Sequence, residues 1–296
     1  MSVVRRFSGP VPIVALPRSL WGERFVTRGS IRQSLGASGV VGLVLLAAIV
    51  GLGAFGPFLA PYDPNLTVGV PSTLPSSGHL LGTDFLGRDV LSRLCWGGRT
   101  VFLLAGSATL IAYGIGLTIG LVAGFLRSSV DPLLMRTMDV MLSIPALVFL
   151  LLLITAVGSS EAALVVGVAV VHVPGIARIV RSATLTQSVR GYVEAAVARG
   201  ESTAAVLRRE ILPNISGTIA ADAGLRLAWS ITLIASVNFL GLGLQPPTSD
   251  WGLMIAENRD NVALNPWAVV APALVIAFLT IALNLVGDAL ANRKAT

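Results

Sequence analysis

The segment "YVEAAVARGESTAAVLRREILPN", Tyr192 to Asn214, concentrates charge in an otherwise apolar chain. Glutamates and arginines recur through it, whereas only 12% of the 296 residues are charged and 54% are hydrophobic, with a mean hydropathy of +0.82. Long uncharged runs lie on either side of this segment. The contrast indicates a water-exposed segment set between segments that avoid water.

The uncharged runs are long enough to cross a membrane. Five of them contain no Asp, Glu, Lys or Arg: 33–62, 100–126, 140–160, 227–249 and 261–287. Each exceeds the roughly 20 apolar residues that span a bilayer as a helix. A shorter sixth run, 162–177, can be extended if Arg178 and Arg181 snorkel to the interface. The pattern predicts an all-α polytopic membrane protein with six transmembrane helices, in preference to a soluble protein with a large apolar core.

The runs and the segments between them predict four regions. We expect a cytoplasmic N-terminal tail over 1–34, a first transmembrane helix with an external segment over 35–98, a core of five transmembrane helices over 99–290, and a C-terminal tail over 291–296. The predicted spans cover about 38–60, 101–124, 136–157, 161–179, 217–240 and 267–288, each near the length that a bilayer requires.

The arginines set the expected orientation. Sixteen of the 21 basic residues fall in the two tails, after span two and between spans four and five, whereas the opposite loops hold only Arg88, Arg93, Arg99 and Arg259. Because basic residues accumulate on the cytoplasmic side, both termini and the quoted segment are predicted to be cytoplasmic. The net charge of +6 follows from this topology, and no basic run interleaved with aromatic residues suggests nucleic-acid binding.

Several kinds of chemistry find no support in the sequence. A P-loop needs a lysine after its second glycine, and Lys294 is the only lysine in the chain. The "GLGAFG" run, Gly51 to Gly56, lies inside span one and follows no strand. With the single cysteine Cys95 and the well separated His79 and His172, no metal site and no catalytic triad are predicted.

Span two carries small residues at every fourth position, which share one helix face. They are Ala108, Ala112, Gly116, Gly120 and Gly124. Such a stripe lets a neighbouring backbone approach closely. Two interpretations stay open, a seam with another subunit and packing within the chain.

Within the quoted segment, apolar residues recur at spacings of three and four, which is typical of one helix face. They are Val193, Val197, Gly200, Ala204, Leu207 and Ile211. Glycine costs roughly 1 kcal/mol in a helix interior, so we expect a bend at Gly200 and expect Pro213 to end the second helix before span five. Small side chains favour insertion into a protein groove over anchoring in lipid.

These residues resemble a known loop. Glu194-Ala195-Ala196, then Gly200, then Ile211-Leu212-Pro213, is similar to the "EAA" loop of bacterial ABC-importer permeases. In that family the loop forms a coupling helix that docks into a cleft on a cytoplasmic ATPase subunit. The resemblance implies a coupling helix over 191–213. It also implies an ATPase contact through Tyr192, Glu194, Ala195, Ala196 and Gly200.

Five further motifs narrow the resemblance to the C-type permeases of dipeptide and oligopeptide importers. They are "LGTDFLGRDVLSR" (81–93), "MRTMDVMLSIP" (135–145), "ARIVRSATL" (177–185), "FLGLGLQPPTSDWG" (239–252) and "NLVGDAL" (284–290). The chain departs from the family at Ile234-Ala235-Ser236-Val237-Asn238, where Glu-Ala-x-Leu-Ser is usual. Nickel and glutathione importers share these motifs, so those two cargoes remain alternatives to peptides.

The resemblance implies the type I ABC importer permease fold and a defined set of partners. These are a second homologous permease, two ABC ATPase subunits, an extracytoplasmic substrate-binding protein and the lipid bilayer of a bacterial cell membrane. It implies that this chain is not an enzyme and binds no cofactor, because ATP and Mg²⁺ belong to the ATPase subunits.

Two groups of charged residues outside the quoted segment are further candidates. Asp84, Arg88, Asp89 and Arg93 are expected together in a polar helix at the outer surface, where they either brace the external segment or contribute to docking of the binding protein. Asp222, Arg226 and Trp229 share a face of span five. Ionisable residues inside a span are functional candidates, and this group either lines the pathway or only joins helices.

Two functions of other classes compete with the permease hypothesis. A membrane-embedded enzyme would need paired catalytic polar residues within the spans, and the sequence offers only Asp222 with Arg226. A self-sufficient secondary transporter would carry out uptake driven by protons or sodium without partners.

Overall fold

The structure, a computed structural model, describes residues 36–126 and 130–292. The predicted tail over 1–34, Arg127 and residues 293–296 lie outside the described residues, and with them most of the basic residues that predict the orientation. Within the described ranges the chain is helical, and extended pairing is limited to isolated bridges. The helices are α1 (Gly36–Leu59), α2 (Val90–Leu126), α3 (Val130–Leu142), α4 (Ala146–Val157), α5 (Glu161–Ser188), α6 (Gly191–Ala198), α7 (Thr203–Val206), α8 (Leu212–Phe239), α9 (Trp251–Asn258) and α10 (Trp267–Asn292).

The number of spans agrees with the prediction. Among the described residues, five helices are long and apolar enough to cross a membrane: α1, α2, α5, the helix Thr203–Phe239 and α10. A sixth span results if α3 and α4 count as one, although they are bent by 83°. The all-α, six-span architecture is therefore confirmed, with one span broken.

The break in the third span corrects the prediction of a single helix over 136–157. α3 ends at Leu142, and Pro145 stands just before α4 with extended backbone angles, φ −57° and ψ 129°. Proline disfavours helical angles at the residue before it and removes one backbone donor.

An ion pair attaches α3, the first half of the broken span, to α5. Arg181 of α5 donates to both oxygens of Asp131 of α3, at 2.5 and 2.6 Å.

A second correction concerns Pro213, which does not end a helix. Helix α7 passes through a π-helical segment, Leu207–Ile211, directly into α8, so that Thr203–Phe239 forms one helix of 37 residues. In the π segment the amide of Leu212 donates to the carbonyl of Leu207, five residues back. The wider turn of the π segment accommodates Pro213, which has no amide hydrogen to donate. Pro213 is the second residue of α8, directly after this segment.

The small-residue stripe of span two packs within the chain. A Cβ added at Gly116 would approach Ile176 to 2.8 Å, one at Gly120 would approach Val180 to 2.6 Å, and one at Gly124 would approach Thr184 to 2.7 Å. All three contacts lie on α5. The stripe therefore brings the backbones of α2 and α5 together, and of the two open interpretations the structure selects packing within the chain.

The external segment is fastened by a buried ionic cluster, defined as Asp84, Arg88, Arg93 and Glu257. Arg88 Nε and Arg93 Nη1 donate to Asp84 Oδ2 at 2.6 and 2.8 Å. Arg93 Nη1 also donates to Glu257 Oε2 at 2.5 Å, and Arg88 Nη2 donates to the same atom at 3.2 Å. No side chain of the cluster is more than 6% exposed. Two positive and two negative charges thus compensate each other away from water.

Hydrogen bonds from the loop between α8 and α10 complete this attachment. Asn258 Oδ1 accepts from the amide of Phe85 at 3.0 Å, and Asn265 Nδ2 donates to the carbonyls of Leu81 and Thr83, both at 3.0 Å. The indole of Trp251, fully buried, donates to the carbonyl of Leu94 at 2.8 Å. Residues far apart in sequence therefore form one external cap.

The predicted polar helix over these charges begins later than expected. Helix α2 starts at Val90, so only Arg93 of the four candidates is helical, and Asp84, Arg88 and Asp89 lie in the preceding turn. Asp89 Oδ2 accepts from the amide and the hydroxyl of Ser92 at 2.8 and 2.7 Å. This contact is the N-cap geometry that starts a helix, and it fixes the start of α2.

We expect Gly120→Leu to destabilise the chain, because the new side chain would overlap Val180 and the carbonyl of Ala177. Overpacking of this kind costs about 1–3 kcal/mol. The thermal unfolding midpoint of the purified chain in detergent measures the loss. Gly114→Leu on the same helix is the control, since nothing lies within 4 Å of its Cβ position. Equal unfolding midpoints for the two variants would contradict the assigned helix contact.

We expect Glu257→Gln to lower the free energy of unfolding by about 3–5 kcal/mol, since it leaves a buried guanidinium without its full counter-charge. The matched control is Asp260→Asn, three residues away. Asp260 is 88% exposed and lies 3.7 Å from Arg259, so its loss should leave the unfolding midpoint unchanged. A Glu257→Gln protein as stable as the wild type would refute the bracing role.

Candidate functional site

The loop over 191–213 consists of α6 and the start of the helix Thr203–Phe239, which meet at Gly200. α6 ends at Ala198, and Gly200 has φ +80°, a conformation that glycine adopts without strain. Amides of Gly200 and Glu201 donate back to the carbonyls of Val197 and Ala196, at 2.9 and 3.2 Å. These contacts close the helix end, and the predicted bend at Gly200 is confirmed.

The inward face of the loop differs from the predicted apolar face. Val193, Ala196, Val206 and Ile211 are buried, whereas Val197 is 53% exposed. Within α6 the buried positions are Val193 and Ala196, three residues apart, and beyond Gly200 the helical repeat starts on a new axis. The inward residues belong to the same apolar cluster as residues of α5 and Met138 of α3. These buried residues pack the loop against α3 and α5 of the membrane domain.

The outward face carries most of the predicted contact residues. Tyr192, Glu194, Ala195 and Gly200 are exposed, and nothing lies within 4 Å of the Cβ position of Gly200. Ala196 is fully buried. It therefore lies beneath the helix and not on the surface where an ATPase contact was predicted. The hydroxyl of Tyr192 donates to Gln187 Oε1 at 2.7 Å, which ties α6 to the end of α5.

The external candidates belong to the interior of the chain. Asp84, Arg88, Asp89 and Arg93 are each at most 3% exposed. Three of them form the ionic cluster described above, and Asp89 binds His79 Nδ1 at 3.0 Å and caps α2. Their burial leaves them bracing the external segment, with no surface to offer a docking protein.

The intramembrane candidates form an interhelical polar cluster, defined as Tyr113, His172, Asp222 and Arg226. Arg226 Nε lies 3.3 Å from Asp222 Oδ2, so the predicted pairing within α8 is present. The hydroxyl of Tyr113 on α2 donates to the same oxygen at 2.6 Å. A Cβ at Gly175 of α5 would lie 2.7 Å from both terminal nitrogens of Arg226. The cluster therefore joins three spans.

Trp229 points elsewhere. Its side chain is 54% exposed and borders a cavity of about 280 Å³ with Leu225, Thr232, Thr280 and Asn284, between α8 and α10. The three residues predicted to share a face of span five thus face two environments. The charged pair contacts α2 and α5, and the tryptophan contacts the α10 side.

Sequence reasoning missed the partners of its candidates. Tyr113 and Gly175 lie in uncharged runs, and Glu257 lies in the short helix α9, outside the quoted motifs, so no motif marked them. Each contacts a residue more than 45 positions away. Within the described residues, no group of three or more His, Cys, Asp or Glu is placed to hold a metal ion.

Comparison with known proteins gives the context for these sites. Residues 116–295 match the family described as binding-protein-dependent transport system inner membrane component. Residues 38–75 match the N-terminal TM domain of oligopeptide transport permease C.

Individual relatives extend over most of the chain. It is 37% identical to the di/tripeptide transport system permease protein DppC of Pseudomonas aeruginosa, over 88% of each chain. It is 35% identical to the glutathione transport system permease protein GsiD of Pectobacterium atrosepticum, over 92% of this chain and 90% of the relative.

A solved structure matches the fold. It is a chain of the MetNI methionine ABC transporter in an inward-facing conformation, with a TM-score of 0.56 and 18% identity, over 69% of this chain and 95% of that chain. The expected type I importer permease fold is therefore confirmed. Together with the family match, which covers more than half of the sequence, it shows that this multi-pass membrane protein belongs to the inner membrane components of binding-protein-dependent transport systems.

Proposed function

We propose that this chain is the transmembrane permease subunit of an ATP-driven importer of small peptides. The observation that carries the proposal is the similarity to a di/tripeptide permease over 88% of the chain, on a fold shared with an ABC importer. A glutathione permease is almost as similar. Glutathione is itself a tripeptide, so the two relatives agree on the substrate class and leave the individual peptide open.

In this proposal the chain forms half of a translocation path and needs partners for the rest. A second homologous permease supplies the other half, an external binding protein delivers the peptide, and two ATPase subunits bind ATP and Mg²⁺. Both termini and the α6 loop face the cytoplasm of a bacterial cell, as the distribution of arginines indicates.

The α6 loop is the proposed contact with the ATPase. Its outward side chains, Tyr192, Glu194 and Ala195, are exposed, whereas Val193 and Ala196 pack into the membrane domain. The small side chain of Ala195 and the absence of one at Gly200 leave room for the helix to enter a cleft. Force applied to α6 reaches α5 through Tyr192 and the buried apolar residues.

The continuous helix Thr203–Phe239 supplies a second route for this force. Because α7 and α8 are joined without a break, a displacement beside Gly200 moves span five as one body. Span five carries Asp222 and Arg226. The coupling loop and the interior of the membrane domain are therefore mechanically linked.

Reconstitution distinguishes the importer from its rivals. We expect ATP-dependent uptake of a labelled dipeptide by proteoliposomes that contain the chain with its paired permease, both ATPases and the binding protein. Uptake by the chain alone under a proton or sodium gradient would instead identify a secondary transporter. Peptide hydrolysis by the chain alone would identify an enzyme.

We expect Gly200→Trp to reduce peptide uptake by at least about tenfold, which corresponds to about 1.4 kcal/mol of lost coupling. The bulky side chain would stand on the surface proposed to enter the ATPase cleft. Co-purification of the ATPase subunits should fall in parallel, while the amount of inserted chain stays normal.

Gly158→Trp is the matched control for that variant. Gly158 also has a positive φ, +98°, and also has nothing within 4 Å of its Cβ position, but it lies in the loop between α4 and α5. Both substitutions place a side chain at a residue with positive φ, a conformation that residues other than glycine rarely adopt. Equal losses of uptake in the two variants would refute the docking assignment.

A further inference from the structure

The interhelical polar cluster leaves several hydrogen-bonding atoms open. Arg226 uses Nε toward Asp222, and among the described residues Nη1 and Nη2 have no hydrogen-bond partner. His172 is 3% exposed, and its Nε2 atom has no partner either. A buried polar atom without a partner is costly. The unpaired Nε2 of buried His172 therefore points to a missing ligand, and the terminal nitrogens of the partly exposed Arg226 are free to bind one.

Geometry places these two side chains on the same side of α5. The Arg226 guanidinium lies against the backbone of α5 at Gly175, where any larger residue would displace it. His172 precedes Gly175 by three residues, so both occupy one face of α5. The guanidinium of Arg226 and the imidazole of His172 therefore lie on the same side of α5.

The chemistry of these groups selects the ligand. A guanidinium presents its donors as a planar fork that matches the two oxygens of a carboxylate. The imidazole adds a third donor in the tautomer that carries its hydrogen on Nε2. Arg226 is 20% exposed, so its fork is reachable, whereas His172 lies deeper.

Asp222 limits how tightly such a ligand is held. Its carboxylate already pairs with Arg226 and accepts from Tyr113, so the cluster is nearly neutral before a ligand enters. A full, uncompensated positive charge inside the membrane would retain an anion. A neutral pair that exposes two donors gives a weak site, which suits a ligand group that must be released again during transport.

We propose that Arg226 and His172 form a subsite that binds a carboxylate of the translocated peptide. The inference rests on the proposed peptide-import function and adds the residues and the chemical group recognised. Arg226 Nη1 and Nη2 donate to the carboxylate, His172 Nε2 donates a third hydrogen bond, and Asp222 with Tyr113 holds the guanidinium in place. The carboxylate belongs to the C-terminus or to an acidic side chain.

Direct binding to the complete membrane complex tests the subsite without interference from the binding protein. The complex of both permeases and both ATPases is placed in nanodiscs, and radiolabelled alanyl-alanine is displaced by unlabelled competitors. The competitors are alanyl-alanine, alanyl-alaninamide and aspartyl-alaninamide. We expect the wild type to bind the free acid about tenfold more tightly than alanyl-alaninamide, consistent with the loss of a charge-assisted contact.

The third competitor identifies the source of the carboxylate. If aspartyl-alaninamide competes as well as alanyl-alanine, the subsite accepts a side-chain carboxylate. If it competes as weakly as alanyl-alaninamide, the subsite recognises the C-terminus. Both results support the proposal, whereas equal binding of all three competitors, or no saturable binding by the wild type, overturns it.

Two variants of the arginine separate ligand binding from helix packing. Arg226→Gln should abolish the preference for the acid. Arg226→Lys keeps a charge beside Asp222 but lacks the fork, so it should assemble normally and lose most of the preference. If Arg226→Gln fails to assemble, Arg226→Lys carries the test. An unchanged preference in an assembled variant overturns the subsite in favour of a purely structural pair.

Controls distinguish this failure from a failure of the proposed function. Arg178→Gln removes another arginine, one whose partner on α3 is Asp139 and which is half exposed, and it should keep the wild-type preference. ATP-driven dipeptide uptake by the wild type with its binding protein is measured in parallel. Uptake without a preference for the acid refutes the subsite alone, whereas the absence of peptide uptake refutes both.

Discussion

A polar group inside a bilayer needs a partner from the protein, because hydrocarbon offers no hydrogen bonds. This constraint explains why the spans are helices, which satisfy their own backbone groups. It also explains why the two ionisable residues of span five reach across to other spans. Asp222 accepts from Tyr113 of α2, and Arg226 lies on α5 at Gly175. The charges of one helix thereby fix its position against two neighbours.

Close helix packing makes those contacts possible. Gly116, Gly120 and Gly124 of α2 let the backbone of α5 approach, since each of the three would clash with α5 if it carried a side chain. Tyr113 stands beside this seam and reaches α8. The membrane domain therefore combines backbone packing between two spans with polar contacts to a third. Apolar side chains alone would not hold the spans together, because lipid offers them equally favourable contacts.

The two ends of the molecule are built by different principles. At one end, burial of a charge-balanced cluster fixes the long irregular segment between α1 and α2 to α9. Helix α9 is positioned by Asp250, which caps it and accepts from Asn238 at 2.8 Å. Burial raises the pKa of the Asp250 carboxyl, and the hydrogen bonds that it accepts oppose this shift. Asn238, one of the departures from the family pattern, thus has a structural role in joining α8 to α9. At the other end, apolar packing beneath α6 leaves its opposite face exposed.

The sequence by itself determined the class of the protein, because uncharged runs of sufficient length admit one kind of structure and arginine-rich loops favour one orientation. It also marked the bend at Gly200 and the pairing of Asp222 with Arg226, which are local in the chain. The tertiary structure decided the break at Pro145, the passage through Pro213 and the inward position of Ala196. Each of these three features depends on how the helical turns before and after the residue are arranged. It also decided that Arg93 pairs with Glu257 and that Arg226 packs on α5 at Gly175, since contacts across more than 50 residues leave no periodic signal in the sequence. Whether a charged residue braces the fold or offers a site depends on which neighbour packing brings to it.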